Sequence, residues 1–143
     1  RVRITSSMNG CALQDAAPQW IAAPAPLPLH AAAPLGALAF TAVECTGGTL
    51  TVQVYYPAGS LAGLAAYKHG PDGWFPHGSV DTGNDSVSYT VTDGGAGDGD
   101  FAPGTIQDPH AMLRIVAPQP VTTLSAWGLA LLAALASLSA QAG

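Results

Sequence analysis

Short segments in which apolar and polar side chains alternate constrain the fold of this chain more than any other feature. Residues 49–56 read TLTVQVYY and residues 86–92 read SVSYTVT, so each segment has one apolar face. A period of two residues is the pattern of a β-strand with one buried face. Helical periodicity does not occur before residue 124. The sequence therefore predicts a mainly β protein, and more specifically an antiparallel β-sandwich of the immunoglobulin-like (Ig-like) kind.

Turn residues separate these segments from further strand candidates. Residues 1–6, 38–43 and 65–69 are short runs that are apolar or alternate between polar and apolar side chains. Ile106 and residues 112–116 are predicted to add short strands later in the chain. The tetrapeptide Gly70-Pro71-Asp72-Gly73 follows one of these runs, and its composition is typical of a hairpin turn.

Composition divides the chain into three segments. Residues 1–35 begin with a strand pattern and continue into an arm rich in alanine and proline, which favours an extended backbone. Residues 36–117 carry most of the strand candidates and form the predicted β-sandwich domain. Residues 118–143 form a predicted hydrophobic C-terminal helix. At 143 residues we expect a single core and no second sizeable domain.

The sequence has two cysteines, Cys11 and Cys45, and they lack the close spacing of metal-binding or redox motifs. A single structural disulfide is the simplest use of such a pair, and it would tie the N-terminal arm to the core. Two buried free thiols are the alternative. If the disulfide forms, the protein belongs to an oxidising compartment.

Charge limits the classes of partner. Four Lys and Arg residues against nine Asp and Glu residues give a formal net charge of −5, so we expect no nucleic-acid partner. Charged residues make up only 9% of the chain, and hydrophobic residues make up 48%. A soluble domain usually has roughly 25% charged residues. This surface is therefore unusually apolar, which suits close packing between subunits.

The C-terminal segment has no charged residue after Arg114. Residues 124–140 read LSAWGLALLAALASLSA and show no polar face, so a helix there must be covered on every side. A lipid bilayer or a bundle of helices from other copies of the chain would cover it. The residues predicted to act in assembly or anchoring are Leu124, Trp127, Leu129, Leu131, Leu132, Leu135 and Leu138.

Several of these stretches together resemble a known bacterial family. The order PLGALAF (34–40), ECTGGTLTVQVYYP (44–57), YKHGPDGW (67–74) and SYTVTDGGAGDGD (88–100) with TIQDP (105–109) is similar to the choice-of-anchor U domain. The stretch TTLSAWGLALLAALASL is similar to the IPTL-type C-terminal sorting signal that often follows that domain.

The resemblance implies an exported protein of a Gram-negative bacterium that reaches the cell surface or the medium. It also implies that Cys11 and Cys45 match a pair of family cysteines. The tail departs from the sorting pattern at Thr122, where proline is usual, and at Ala126, where an acidic residue is usual.

An acidic, glycine-rich block is the densest group of carboxylates. Asp93, Asp98 and Asp100 lie within eight consecutive residues, and Asp108 follows. Calcium takes six to eight oxygen ligands from flexible loops, so these four residues are the candidate calcium ligands, and calcium is the only cofactor that the sequence suggests. A solvated loop in which the Asp side chains cap their own backbone is the alternative.

Motifs for catalysis do not stand out. The four histidines lack the spacing of zinc sites, and no G-x-S-x-G nucleophile elbow occurs. Lys68, the only lysine, is expected to pair with a nearby Asp or to remain solvated. We therefore predict that the protein is not an enzyme and has no small-molecule substrate.

The sequence favours an exported, disulfide-containing structural protein. Such a subunit would assemble with copies of itself into an extracellular filament or surface layer, through its C-terminal helix and its N-terminal strand. The alternative is a monomeric, membrane-anchored surface module that binds calcium or a glycan.

Overall fold

The computed structural model describes residues 1–116, which contain eleven β-strands. The predicted C-terminal helix and its seven apolar assembly residues lie outside this range. Within the range, no helix is long and apolar enough to cross a membrane. The strands are β1 (Val2–Ser6), β2 (Ala12–Leu13), β3 (Gln19–Ile21), β4 (Ala31–Ala32), β5 (Ala37–Val43), β6 (Thr49–Tyr55), β7 (Ala65–Gly70), β8 (Gly73–Pro76), β9 (Ser79–Asp81), β10 (Ser86–Thr92) and β11 (Ile106–Ile115).

The strands form two sheets, in which every pairing is antiparallel. The first sheet has the order β1-β6-β10-β9. The second has the order β2-β5-β11-β7-β8, with β3 also paired to β5 and β4 paired to β11. The prediction of a mainly β protein with antiparallel sheets is confirmed.

One hydrophobic cluster joins the two sheets. The alternating residues of β6 and β10 turn their apolar face inward, as the sequence pattern predicts. The first sheet contributes Leu50, Val52, Val54, Val87, Tyr89 and Val91 to the cluster, and the second contributes Leu38, Phe40, Ala42, Ala66, Ile106 and Met112.

The alanine- and proline-rich arm covers the outer face of the second sheet. Ala37, Ala111 and Leu113 are buried there against apolar residues of the arm such as Leu27. The Trp74 indole N–H also donates a hydrogen bond of 2.9 Å to the carbonyl oxygen of Pro24. The part of the second sheet around Ala111 and Leu113 is therefore covered on both faces, which explains why residues 110–113 of β11 are continuously buried.

A disulfide ties the arm to the core. The Cys11 and Cys45 sulfurs are bonded, and the two Cα atoms lie 4.6 Å apart. Cys11 precedes β2, and Cys45 follows the end of β5, to which β2 pairs. The disulfide prediction is confirmed, and the alternative of two free thiols is excluded. A disulfide fits the oxidising compartment expected of an exported protein.

Two local predictions have different outcomes. Gly70 and Gly73 pair across a two-residue turn between β7 and β8, so the predicted hairpin is confirmed. The sequence suggested separate short strands near residues 106 and 112–116, whereas β11 is one continuous strand of ten residues. Pro109 lies within this strand although proline lacks an amide donor. It lies opposite Ala39 on β5 and just before His110, where the pairing with β7 begins.

Candidate functional site

Five polar side chains meet inside the apolar core, and we call them the core polar cluster. They are Lys68, Asp108, His110, Tyr89 and Tyr56. Lys68 and His110 are fully buried, and Asp108 is 2% exposed. A cluster of ionisable groups at this depth is rare, because removing a charge from water is costly. It is the most distinctive chemical feature of the described residues.

Strand register brings three of these residues to one place. Lys68 of β7 lies directly opposite His110 of β11. Asp108 precedes His110 by two residues and so has its side chain on the same face of the sheet. Ile106 and Met112 occupy the flanking inward positions of β11. The two polar side chains therefore take places in a row that is otherwise apolar.

The Asp108 carboxyl group is the centre of the cluster. Its Oδ1 accepts a hydrogen bond from Lys68 Nζ, and its Oδ2 accepts one from the Tyr89 hydroxyl. Tyr89 belongs to β10 of the first sheet, so the cluster joins the two sheets. Lys68 Nζ also lies 3.4 Å from the carbonyl oxygen of Pro109. Both carboxyl oxygens thus have partners inside the protein.

The hydrogen bonds of His110 identify its tautomer. Its Nδ1 lies 3.1 Å from the carbonyl oxygen of Tyr67, which can only accept, so Nδ1 carries the proton. Its Nε2 lies 3.2 Å from the Tyr56 hydroxyl, which must then donate. Burial, with a smaller effect of the Lys68 charge, lowers the pKa of His110 to about 3. The ring is therefore neutral at physiological pH.

Burial also controls the protonation of Lys68 and Asp108. It lowers the pKa of the Lys68 amine and raises the pKa of the Asp108 carboxyl group. The attraction between the two groups acts against both shifts. Because burial is the larger cause in each case, the interior favours the neutral amine and the protonated carboxyl group.

Both tyrosine hydroxyls remain proton donors. Burial raises the pKa of Tyr56 and of Tyr89 above the ordinary value, and the nearby Asp108 carboxyl group adds to this effect. The Tyr89 ring also packs on the His110 ring, with centroids 4.8 Å apart. The cluster is closed to solvent, so the chemistry that it supports takes place between its own side chains.

In residues 1–116, the four candidate calcium ligands do not converge on one metal site, although the sequence groups them. Asp108 points into the core and bonds to Lys68 and Tyr89 because it occupies an inward position of β11. Asp93, Asp98 and Asp100 belong to the loop between β10 and β11. In residues 1–116, no three His, Cys, Asp or Glu side chains converge in a way that could hold a metal ion.

The loop carboxylates accept hydrogen bonds from backbone amides. Asp98 is fully buried and accepts from the N–H groups of Gly94, Asp100 and Gln107, each at 2.9 Å. Asp93 Oδ2 accepts from Gly47 at 3.1 Å.

Two further hydrogen bonds join backbone N–H groups to the loop carboxylates. Asp93 Oδ2 also accepts from Gly104 at 3.0 Å, and Asp100 Oδ1 accepts from Ala102 at 2.7 Å. These contacts match the alternative interpretation, in which Asp side chains cap their own loop.

A shallow apolar groove lies beside the β7–β8 turn. It has a volume of about 370 Å³, and Trp74, Phe75 and Phe101 are among its lining residues. Phe101 is 73% exposed. Trp20 is not part of this groove, because it packs edge-on against Tyr56 with ring centroids 5.7 Å apart. Within residues 1–116, the aromatic residues Trp20 and Trp74 therefore do not belong to one continuous face.

The sequence singles out Lys68 and Asp108 separately and does not place them together. Lys68 was expected to pair with an Asp or to remain solvated, and the structure shows the pair. Residues 106–112 carry a signal for the cluster. Asp108 and His110 occupy alternate positions between Ile106 and Met112, so all four side chains lie on the inward face of the strand. Polar residues at inward positions of a strand are candidates for a buried network.

The chain was compared with protein-family models, with curated proteins and with solved structures, and none of the three comparisons found a match.

Proposed function

We propose that this protein is an exported structural subunit of the bacterial cell surface, with an Ig-like β-sandwich, that assembles into an extracellular filament or surface layer. The observation that carries the proposal is the open outer edge of β1. This N-terminal strand pairs with β6 on one side, and no strand of residues 1–116 pairs with its other side. An open strand edge can pair with a strand of another copy.

The hydrogen-bond pattern of β1 identifies the groups on that edge. The Arg1 carbonyl oxygen accepts from Tyr55 at 2.7 Å, and Ser7 N–H donates to Thr49 at 2.9 Å. In an antiparallel pair, alternate residues bond to the partner strand, so odd-numbered residues of β1 face β6. The N–H and C=O groups of Val2 and Ile4 therefore point away from β6, toward a neighbouring copy.

Other features of the chain support export and assembly. The Cys11–Cys45 disulfide fits an oxidising compartment. The low share of charged residues suits close contact between subunits, and the apolar stretch at residues 124–140 offers a second assembly element. The resemblance to choice-of-anchor U domains with an IPTL-type tail supports delivery to the surface of a Gram-negative bacterium.

Negative-stain electron microscopy of three chains without detergent tests the role of the β1 edge. The Val2→Pro variant removes an outward N–H group, whereas Val2→Ala shortens the same side chain and keeps that group. We expect regular assemblies of the wild type and of Val2→Ala, and dispersed particles of Val2→Pro. Dispersed monomers of the wild type would contradict the proposal, and equal assembly of the two variants would contradict the role of β1.

A chain truncated after Pro120 tests the contribution of the tail in the same experiment. We expect the truncated chain to remain dispersed, because the apolar segment needs other copies to cover it. Assemblies that persist after truncation would exclude the tail as an assembly element and leave β1 as the contact.

The groove beside the β7–β8 turn favours one alternative, a monomeric surface module that binds a glycan. Aromatic rings such as Phe101 and Trp74 can pack against the apolar faces of sugars. Calorimetry with a glycan panel, and with calcium for the acidic loop, tests this alternative. Heat with a glycan that disappears in Phe101→Ala would support it, and no heat with any of these ligands would contradict it.

A further inference from the structure

The geometry of the core polar cluster points to a covalent bond, and we propose that Lys68 and Asp108 form an intramolecular isopeptide bond between β7 and β11. The bond would join Lys68 Nζ to Asp108 Cγ. It would be a post-translational cross-link made by the folded chain itself, without a cofactor. This proposal does not depend on the assembly function, because it concerns the interior of one chain.

The two reacting groups are already in contact. Lys68 Nζ donates to Asp108 Oδ1, and the side chains of both residues are fully buried. Holding two reactants in contact turns a reaction between separate molecules into one within a single molecule, with effective concentrations of about 10⁵ M or more. The cluster lies between neighbouring strands whose register is set by the sheet, so this contact is maintained in the folded state.

The protonation states suit amide formation. An amine attacks only when it is unprotonated, and a carboxyl group accepts attack far more readily when it is protonated. Burial lowers the pKa of Lys68 and raises the pKa of Asp108, so it favours both of these forms. Exclusion of water from the core also removes the solvent that would favour the separated ions.

Tyr89 is placed to assist the reaction. Its hydroxyl donates to Asp108 Oδ2, the oxygen on which negative charge develops when Nζ adds to Cγ. We therefore assign Tyr89 as the catalytic residue of the cross-link. Its ring also packs on His110, which helps to fix the position of the hydroxyl.

The step balances without an oxidant or a further reactant. The nitrogen of the neutral amine forms a bond to Cγ, and the bond from Cγ to Oδ1 breaks. Oδ1 leaves as water, carrying the proton of the carboxyl group and one proton from the amine. The product is a secondary amide whose carbonyl oxygen is Oδ2, still bonded to the Tyr89 hydroxyl.

Mass spectrometry of the full chain after reduction tests the proposal directly. We expect a mass lower than that of the sequence by one water molecule. Trypsin provides a second measurement, because Lys68 is the only lysine and an amide on Nζ prevents cleavage there. Digestion of the denatured, reduced chain should then give one fragment of residues 4–114 that lacks one water, in place of residues 4–68 and 69–114.

The outcomes are distinct. Full mass together with cleavage after Lys68 would overturn the proposal. A succinimide at an Asp-Gly step such as Asp72-Gly73 would also remove one water, but it would leave Lys68 open to trypsin, and that result would overturn the proposal as well. These measurements use the unmodified sequence, so they do not depend on whether a core variant folds.

Two tyrosine variants test the assigned role of Tyr89. Tyr89→Phe keeps the ring and removes the hydroxyl, so we expect the cross-linked fraction of freshly folded protein to fall at least tenfold. Tyr67→Phe makes the same chemical change on β7 and should leave the cross-linked fraction unchanged. Equal fractions in the two variants would contradict the role of Tyr89. A Lys68→Met chain should show the full mass of its sequence.

Discussion

At the residue scale, the Asp98 side chain is the acceptor for three backbone N–H groups. Its carboxylate receives N–H groups from its own loop and from Gln107 at the start of β11, and it is fully buried. Hydrogen bonds to a charged acceptor are stronger than neutral ones, and buried donors left without a partner are costly. The loop therefore depends on this side chain for its shape.

We predict that Asp98→Ala lowers the free energy of unfolding by about 3 kcal/mol, because three backbone donors lose their acceptor. Urea denaturation followed by fluorescence measures this change. Asp100→Ala is the matched control, since Asp100 accepts from only Ala102 in the described residues and should cost about 1 kcal/mol. Equal losses in the two variants would contradict the role given to Asp98.

His110 gives a second prediction at the residue scale, on the effect of pH. Its pKa is about 3 in the folded state and has the ordinary value of 6.5 in the unfolded chain. Between these values the unfolded chain binds more protons, so the free energy of unfolding falls as the pH decreases. The expected slope from this residue is about 1.4 kcal/mol per pH unit.

Urea denaturation at pH 7 and at pH 4.5 measures this slope. The His110→Gln variant lacks the titrating ring and should lose less stability than the wild type over this interval. A free Asp108 carboxyl group has the opposite effect, because its pKa is raised on folding, but both chains contain it. Parallel pH profiles for the two chains would contradict the prediction.

At the scale of elements, the disulfide fixes the N-terminal arm to β5. The disulfide joins two cysteines that are 34 positions apart in the sequence, and so closes a loop of the chain. We predict that the Cys11→Ala, Cys45→Ala double variant loses about 3 to 4 kcal/mol of unfolding free energy, mainly because the unfolded chain is no longer constrained. Urea denaturation of the variant measures this loss.

The wild type under reducing conditions is the control for that variant. It should lose a similar amount of stability, because reduction also opens the loop without changing the side-chain volume. Unfolding curves of the wild type that do not change on reduction would contradict the prediction.

The elements also differ in how far the sequence predicted them. Strands β6 and β10 match their alternating segments within one residue, because each has one face toward the core. Strand β11 was not predicted as one element, because Pro109 interrupts the pattern and both of its faces are covered. Strands β3 and β4 were missed, because they are short pieces of the arm paired to the second sheet.

At the scale of the whole molecule, net charge opposes association between copies of the chain. The formal net charge is −5 at pH 7, and the isoelectric point of the sequence is about 4.9. Repulsion between copies decreases as the pH approaches that value. If the open edge of β1 is the contact, lower pH should favour ordered assembly of the chain.

We predict that the sedimenting fraction of the wild type is larger at pH 5 than at pH 7, as measured by analytical centrifugation. Val2→Pro separates this effect from general precipitation, because its net charge is the same while its β1 edge lacks one N–H group. It should stay monomeric at both pH values. Equal sedimentation of the variant and the wild type at pH 5 would show that association does not use the β1 edge.

The sequence by itself determined the strand class, the disulfide and the hairpin at Gly70 and Gly73. Each of these follows from local information: a period of two residues, a lone pair of cysteines and the chemistry of a turn. The two antiparallel sheets follow from the same pattern once the inner faces of β6 and β10 need a partner.

Only the tertiary structure decided which polar residues meet. Lys68 and Asp108 are 40 positions apart, and neither belongs to a motif that would connect them. Their contact depends on the register of β7 against β11, and Tyr89 reaches them from the other sheet. Strand register and sheet packing are set by the whole core, so the cluster could not be inferred from the residues near any one of its members.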